Sequence, residues 1–217
     1  MNRRRNVILA AVLLVLAAFL AGCSSSGHAG TQPSGLNDQN PNSGPYQGVG
    51  LDTPRPRPSF TLTDTAGQPF AFGTRTAGHP TLLFFGYTSC PDVCPTTMAD
   101  IDNALKTLPL TLQKKIYVVF VSTDVKHDTA SIIARWLQNF DSDNHASFVG
   151  LRGTQSQINL AEISAHILVA EDGGQTHSTQ VLLFGPDDYA RVSYVYSGTD
   201  GNEAKQMAHD LPIVAKA

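Results

Sequence analysis

Two cysteines four positions apart, Cys90 and Cys94, are the residues best suited to chemistry in this sequence. They follow a largely apolar run over residues 81–87, which is typical of a buried parallel strand, and they precede a helical pattern over residues 95–108. Backbone N–H groups at a helix N-terminus favour negative charge, so a thiol there has a lowered pKa. A pair this close is a small-loop disulfide, a redox couple or a metal site.

A purely structural disulfide is the least favoured of these three, because so short a loop adds little chain entropy to a domain with a full core. The third cysteine, Cys23, directly follows the apolar N-terminal segment and is far from this pair in the sequence. Cys90 and Cys94 are therefore interpreted as a redox-active pair that is also competent to bind a metal.

The first 22 residues have the pattern of an export signal. Basic residues at positions 3–5 precede an apolar run over residues 7–20, which is shorter than the roughly 20 residues of a spanning helix. Leu-Ala-Gly-Cys at positions 20–23 resembles the bacterial lipobox. This resemblance implies that residues 1–22 are a signal peptide and that Cys23 is lipidated, which would anchor the chain to the outer face of the bacterial membrane. An uncleaved anchor helix is the alternative.

Residues 23–57 are predicted to form a flexible tether that follows the lipidated cysteine. The segment is rich in Ser, Gly, Asn, Gln and Pro, so it cannot bury a core. Arg55 and Arg57 near its end are interpreted as solvated. The globular domain is predicted to span residues 58–217.

Within that domain, strand patterns alternate with helix patterns. The predicted elements are a hairpin over residues 60–72, strands near 81–87, 116–121, 148–151, 166–170, 181–184 and 192–196, and helices near 95–108, 128–140, 154–163 and 201–213. This alternation indicates an α/β domain with a parallel or mixed sheet covered on both faces. Nucleic acid is excluded as a partner, because the net charge is −3 and basic residues cluster only at the N-terminus.

The stretch FGYTSCPDVCP at residues 85–95 strongly resembles the F-G-Y-T-x-C-P-D-V-C-P motif of the Sco (SenC) family of copper proteins. The resemblance covers about residues 58–213 and includes the upstream hairpin and the V-S-x-D strand end at residues 121–124. It implies a thioredoxin-like fold, with a central mixed β-sheet flanked by helices and an N-terminal β-hairpin.

The resemblance also implies a third copper ligand, His177. Residues 177–188, HSTQVLLFGPDD, align without a gap with the family pattern H-S-x-x-x-Y-L-x-D-P-D-G. Cys90, Cys94 and His177 would form a soft ligand set that suits Cu(I), and imidazole also accepts Cu(II). The implied function is a copper metallochaperone, tethered to the membrane, that serves the copper-bearing subunit of cytochrome c oxidase or another copper protein.

Two enzymatic functions are the alternatives. As a thiol–disulfide oxidoreductase, the chain would use Cys90 and Cys94 as a catalytic redox pair on the cysteines of the oxidase copper site or of another exported protein. Against a general oxidoreductase, the spacing is C-x-x-x-C rather than C-x-x-C, and residues 177–179 hold no proline where a thioredoxin has its cis-Pro. A peroxidase of the peroxiredoxin type is disfavoured, because its P-x-x-x-T-x-x-C pattern fails when counted back from either cysteine.

Overall fold

The computed structural model describes residues 39–40, 44–141, 145–169, 172–175, 178–196 and 202–217. All of them lie in one of the two units into which the chain divides, Ser34–Ala217. Their strands and helices are β1 (Gln39–Asn40), β2 (Val49–Pro56), β3 (Thr61–Asp64), β4 (Pro69–Ala71), α1 (Phe72–Arg75), β5 (Thr81–Gly86), α2 (Val93–Lys106), α3 (Leu110–Gln113), β6 (Tyr117–Ser122), α4 (Ala130–Asp141), β7 (Ser147–Arg152), α5 (Gln155–Ser164), β8 (Gln180–Phe184), β9 (Tyr189–Val195) and α6 (Glu203–Val214).

The described strands form one mixed sheet in the order β1-β2-β9-β8-β5-β6-β7-β3-β4. Strands β5, β6 and β7 are parallel, and the remaining pairs are antiparallel. All six residues of the central strand β5 are buried, as expected for a parallel strand covered on both faces. The predicted mixed sheet, the N-terminal hairpin β3–β4 and the hairpin β8–β9 are therefore confirmed.

Alternate side chains of β5 enter two separate hydrophobic cores, because successive residues of a strand point to opposite faces. Leu82 and Phe84 pack with residues of α2, α4 and α6. Leu83 and Phe85 pack with residues of α5 and of the β3–β4 hairpin. Each fully buried side chain of this size contributes about 1.5–3 kcal/mol, so β5 is held firmly up to the point where the cysteine loop begins.

The predicted tether boundary at residue 57 is wrong. Residues Val49–Pro56 form β2, which pairs with β9 inside the sheet. Arg55 and Arg57 are not solvated either: Arg55 is buried and bonds to the His166 carbonyl, and the Arg57 side chain is only 2% exposed. The strand was missed because its polar and basic residues suggested exposure to solvent. In the folded domain, the two guanidinium groups are instead hydrogen-bonded to other parts of the chain.

The Arg57 guanidinium joins the end of β2 to two loops of the domain, residues 76–79 and residues 185–188. Its Nε donates to Asp188 Oδ1 at 2.7 Å, and its Nη1 donates to Thr76 Oγ1 at 2.8 Å. Its Nη2 lies 2.9 Å from the carbonyl oxygens of His79 and Gly185. This buried cation fastens the end of β2 to the loops around it.

The predicted strand over residues 166–170 is also wrong, although Ala170 lies outside the described residues. His166 adopts a left-handed conformation with φ of 56° and donates to the Ile163 carbonyl, while Ile167 donates to the Glu162 carbonyl. These two bonds form a Schellman motif that ends α5. The apolar residues after α5 therefore cap the helix instead of extending the sheet.

The signal peptide, Cys23 and most of the predicted tether lie outside the described residues. Among the helices that the structure describes, none combines the length and apolar character needed to cross a bilayer.

Candidate metal centre

The cysteine pair lies where β5 ends and α2 begins. Cys90 is in the connecting loop and is half-buried, whereas Cys94 is in the first turn of α2 and is fully buried. Both cysteines are free thiols. The N-cap residue Asp92 makes no side-chain capping bond, so the first N–H groups of α2 are available to another acceptor.

That acceptor is the sulfur of Cys90. The backbone N–H of Cys94 donates to Cys90 Sγ at 3.4 Å, and the backbone N–H of Asp92 and the side chains of Cys94 and Tyr87 also bond to this sulfur. Burial by itself raises the pKa of Cys90, but these donors outweigh burial and hold the pKa below its ordinary value. Cys90 is therefore the thiol of the pair that ionises more readily.

Cys94 behaves in the opposite way. Burial raises the pKa of its thiol far above the ordinary range, and the nearby Cys90 sulfur raises it further. The packing around this sulfur is close, because a Cβ placed on Gly86 would lie 2.9 Å from Cys94 Sγ. Cys94 thus keeps its proton until a metal ion or an oxidation step removes it.

Tyr87 supplies a hydroxyl beside the thiol of Cys90. Burial raises the pKa of Tyr87, and its hydrogen bond to Cys90 and the charge on that sulfur raise it further. The phenol consequently stays protonated and serves as a donor to Cys90. The sequence analysis did not identify this role, since a tyrosine in a motif does not by itself show where its hydroxyl points.

Asp128 fixes the position of the cysteine loop through hydrogen bonds. Its carboxylate accepts the Thr88 hydroxyl at 2.5 Å, the Thr88 N–H at 2.9 Å and the Ser122 hydroxyl at 2.6 Å, and the side chain is buried. Asp128 therefore ties the loop before Cys90 to the end of β6. The neighbouring Thr129 caps α4, because its hydroxyl accepts the N–H of Ile132 at 3.3 Å.

Asp124, which follows β6, has a local role. Its carboxylate accepts hydrogen bonds from the backbone N–H groups of Lys126 and His127 and lies 2.9 Å from the Nδ1 atom of the His127 ring. These contacts are those of a turn cap. Asp92 accepts a hydrogen bond from the Tyr196 hydroxyl at 3.4 Å.

The third predicted ligand, His177, lies outside the described residues, but segments on both sides of it are described. Before it, the Gly174 carbonyl accepts the Thr123 hydroxyl at 2.6 Å, and Thr123 also donates its N–H to the Gly86 carbonyl. After it, Val181 of β8 pairs with Phe84 of β5. Both segments therefore lie near the end of β5 that carries the cysteine loop.

Within the described part of the chain, no three His, Cys, Asp or Glu side chains form a group that could hold a metal ion. The cysteine pair alone supplies two sulfur donors, of which one ionises readily. Two thiols without a disulfide fit a soft ion such as Cu(I), because thiolate ligands select soft metals and a bound metal would displace the proton of Cys94.

A free thiol pair between a buried strand and a helix, on a mixed sheet, defines a thioredoxin-like thiol protein. The solution structure of apo Sco1 from Thermus thermophilus has the same fold, with a TM-score of 0.63 and 27% identity over 77% of this chain and 96% of that chain. ScoI of Bradyrhizobium japonicum, solved with copper bound, gives a TM-score of 0.56 and 29% identity over 73% of this chain and 98% of that chain.

The SCO1/SenC family model matches residues 51–212. An SCO2-like protein of Rickettsia prowazekii is 38% identical over 101 residues, which cover 46% of this chain and 45% of the relative. The chain thus spans less than half the length of that relative. The chain belongs to the SCO1/SenC family, and the predicted thioredoxin-like α/β fold is confirmed.

Proposed function

We propose that this protein is a membrane-tethered copper metallochaperone that binds copper through Cys90, Cys94 and His177 and helps to assemble the copper centre of cytochrome c oxidase. The observation that carries the proposal is the pair of free cysteines at the start of α2, with the backbone N–H of Cys94 donating to the sulfur of Cys90. Membership of the SCO1/SenC family and the copper bound by the Bradyrhizobium relative support copper as the metal.

Two features of the described residues support His177 as the third ligand. Gly174 is fastened to Thr123 before it, and β8 is paired with β5 after it, so the intervening segment begins and ends near the cysteine loop. A set of two sulfurs and one imidazole leaves the metal approachable on one side, which suits a protein that passes copper to another.

The position in the cell is part of the same proposal. Residues 1–22 would be removed as a signal peptide, Cys23 would carry the lipid, and the polar residues that follow would let the domain reach partners at the outer face of the bacterial membrane. Mass spectrometry of the protein isolated from bacterial membranes tests this step. An N-terminus other than a lipidated Cys23 would contradict it.

Copper titration of the full-length chain tests the ligand set. Loss of a ligand should lower copper affinity by at least about 100-fold, because even loss of a residue that only orients a ligand costs about 10–100-fold. We expect this loss for Cys90→Ser, Cys94→Ser and His177→Ala. His79→Ala is the matched control, since His79 precedes β5 at the end of the strand remote from the cysteines. Unchanged affinity in His177→Ala would refute its assignment as a ligand.

A transfer assay tests the role in assembly. The copper-loaded chain is mixed with a fragment that carries the copper site of the oxidase, and copper is followed spectroscopically. We expect transfer from the wild type and much less from the two cysteine variants, because their weakened affinity leaves less copper loaded under the same conditions. A loaded wild type that retains its copper would refute delivery to this acceptor.

A thiol–disulfide oxidoreductase is the second candidate, and the unequal cysteines favour it. The half-buried Cys90, once ionised, would attack a substrate disulfide, and the neighbouring thiol of Cys94 would then release the reduced substrate and leave the pair oxidised. Turnover of a disulfide substrate by the wild type and by His177→Ala separates the two functions. Activity that survives in His177→Ala while copper affinity is lost would support the enzyme.

A further inference from the structure

A groove of about 400 Å³ lies directly beside the cysteine loop. The loop contributes Thr88 and Ser89 on one side, and the other side is a face of α4. The groove residues on α4 are Ile132, Arg135, Trp136 and Asn139. Because Ser89 immediately precedes Cys90, a molecule in this groove would lie next to the thiol that ionises.

The groove offers a firmly held apolar surface. The Trp136 ring lies 4.7 Å from the ring of Phe120 and 5.0 Å from that of Phe140, measured between centroids. Ile132 is 39% exposed. A fixed aromatic ring with an exposed aliphatic neighbour is the kind of surface on which protein partners place their strongest contacts.

The groove is lined by one charged side chain, the positively charged Arg135. Arg135 is exposed and makes no ion pair with any residue that the structure describes, and no acidic side chain lines the groove. The carboxylate of Asp128 behind the loop is already occupied by Thr88 and Ser122. An unpaired guanidinium binds carboxylates with directional hydrogen bonds, so the groove favours an acidic ligand.

We propose that this groove binds an acidic, thiol-bearing peptide segment of the protein that exchanges copper with Cys90 and Cys94. A carboxylate of the segment bonds to Arg135, and an apolar side chain packs on Trp136. The thiols of the segment are thereby brought to the cysteine loop. The identity of the partner rests on the proposed function, whereas the preference for an acidic segment rests on the groove itself.

The chain contains a single tryptophan, Trp136, so its fluorescence reports directly on the groove. Two synthetic peptides are titrated into the reduced, metal-free, full-length chain. Both have a C-x-x-x-C core with serine in place of each cysteine, and the core is flanked by glutamates in one peptide and by lysines in the other. We expect the acidic peptide to bind about two- to fivefold more tightly, as expected for one favourable exposed ion pair.

Arg135→Glu should abolish or reverse this preference, and Arg135→Gln should reduce it without adding a negative charge. The matched control is Lys114→Glu, because Lys114 is exposed and precedes β6 at the opposite end of the sheet. Equal binding of the two peptides by the wild type, or an unchanged preference in Arg135→Glu, would overturn the proposal.

A second measurement uses the same peptides with their cysteines restored, as copper acceptors from the loaded chain. The acidic peptide should accept copper faster from the wild type than from Arg135→Glu, and the two chains should have equal copper affinity. Equal transfer rates would refute the proposed role of the groove in binding the acceptor and would leave the proposed function intact. A wild-type chain that binds no copper would refute the proposed function. The fluorescence titration would still show whether the groove prefers an acidic peptide.

Discussion

The backbone N–H of Cys94 donates to the sulfur of Cys90 at 3.4 Å, so one cysteine of the pair stabilises the charge of the other. This bond exists because Cys94 lies in the first turn of α2, where N–H groups have no helical partner. The same position buries the Cys94 side chain completely. Two cysteines of one short motif therefore differ sharply in acidity.

The first prediction concerns the rate at which each cysteine is alkylated. Iodoacetamide reacts with thiolates, so the pH profile of its rate follows the pKa of the thiol. In the metal-free chain, we expect Cys90 to react with a midpoint below the pH of about 8.5 found for a free cysteine. Cys94 should react far more slowly across the neutral range, because burial raises its pKa.

Tyr87→Phe tests the cause of the low midpoint. The Tyr87 hydroxyl is one of the donors that lower the pKa of Cys90, so its removal should shift the alkylation profile to higher pH. The Cys94→Ser variant keeps the backbone donor and should retain most of the lowered midpoint. A midpoint that is the same in Tyr87→Phe and the wild type would show that this hydroxyl does not stabilise the thiolate.

The second prediction concerns Asp128. In Asp128→Asn, an amide replaces the carboxylate that accepts three hydrogen bonds from Thr88 and Ser122, so at least one buried donor loses its acceptor. We expect the free energy of unfolding in urea to fall by about 1–3 kcal/mol. Ser122→Ala, which leaves both Thr88 bonds intact, should cost less. Equal stability of Asp128→Asn and the wild type would contradict the positioning role.

The third prediction compares two glycines that both have positive φ. A Cβ on Gly174 would overlap the Thr123 carbonyl oxygen, whereas a Cβ on Gly67 would meet nothing within 4 Å. Gly67→Ala should therefore cost only the backbone strain of about 1–2 kcal/mol. Gly174→Ala should cost clearly more, as measured by thermal unfolding, and should also weaken copper binding if His177 is a ligand. Similar melting temperatures for the two variants would refute this close contact.

The fourth prediction concerns the start of the folded domain. A fragment of residues 58–217 lacks β2 and Arg57, so it should unfold at a lower urea concentration than a fragment of residues 44–217. Within the full chain, Arg57→Gln should lower the free energy of unfolding by about 2 kcal/mol, because buried carbonyl groups lose their donors. Equal urea midpoints for the two fragments would show that β2 adds nothing to stability.

Much of this fold is readable from local patterns of residues. The apolar run of β5 predicted a buried strand, and the helix pattern near residues 154–163 predicted α5; both are present. Such features depend on residues near one another in the sequence. The thiol pair was recognisable for the same reason, since its motif is continuous.

The missed features depend on contacts between distant residues. Arg57 looked solvated because two of its acceptors, Asp188 and the Gly185 carbonyl, lie more than 120 positions away. Asp128 reaches Thr88 across 40 positions, so no local pattern could reveal that it holds the cysteine loop. The apolar stretch after α5 was misread because a helix cap and a strand both need apolar residues there.

The direction of β2 has a consequence for the geometry of copper exchange. Its first residue, Val49, pairs with Ser193 of β9, close to the end of that strand, and the end of β9 lies beside the loop that carries Cys90, as the bond from Tyr196 to Asp92 indicates. The polypeptide therefore enters the sheet at the same pole as the thiols. If Cys23 carries the lipid as proposed, the chain that follows it joins β2 at the pole of the thiols and not at the opposite end of the sheet.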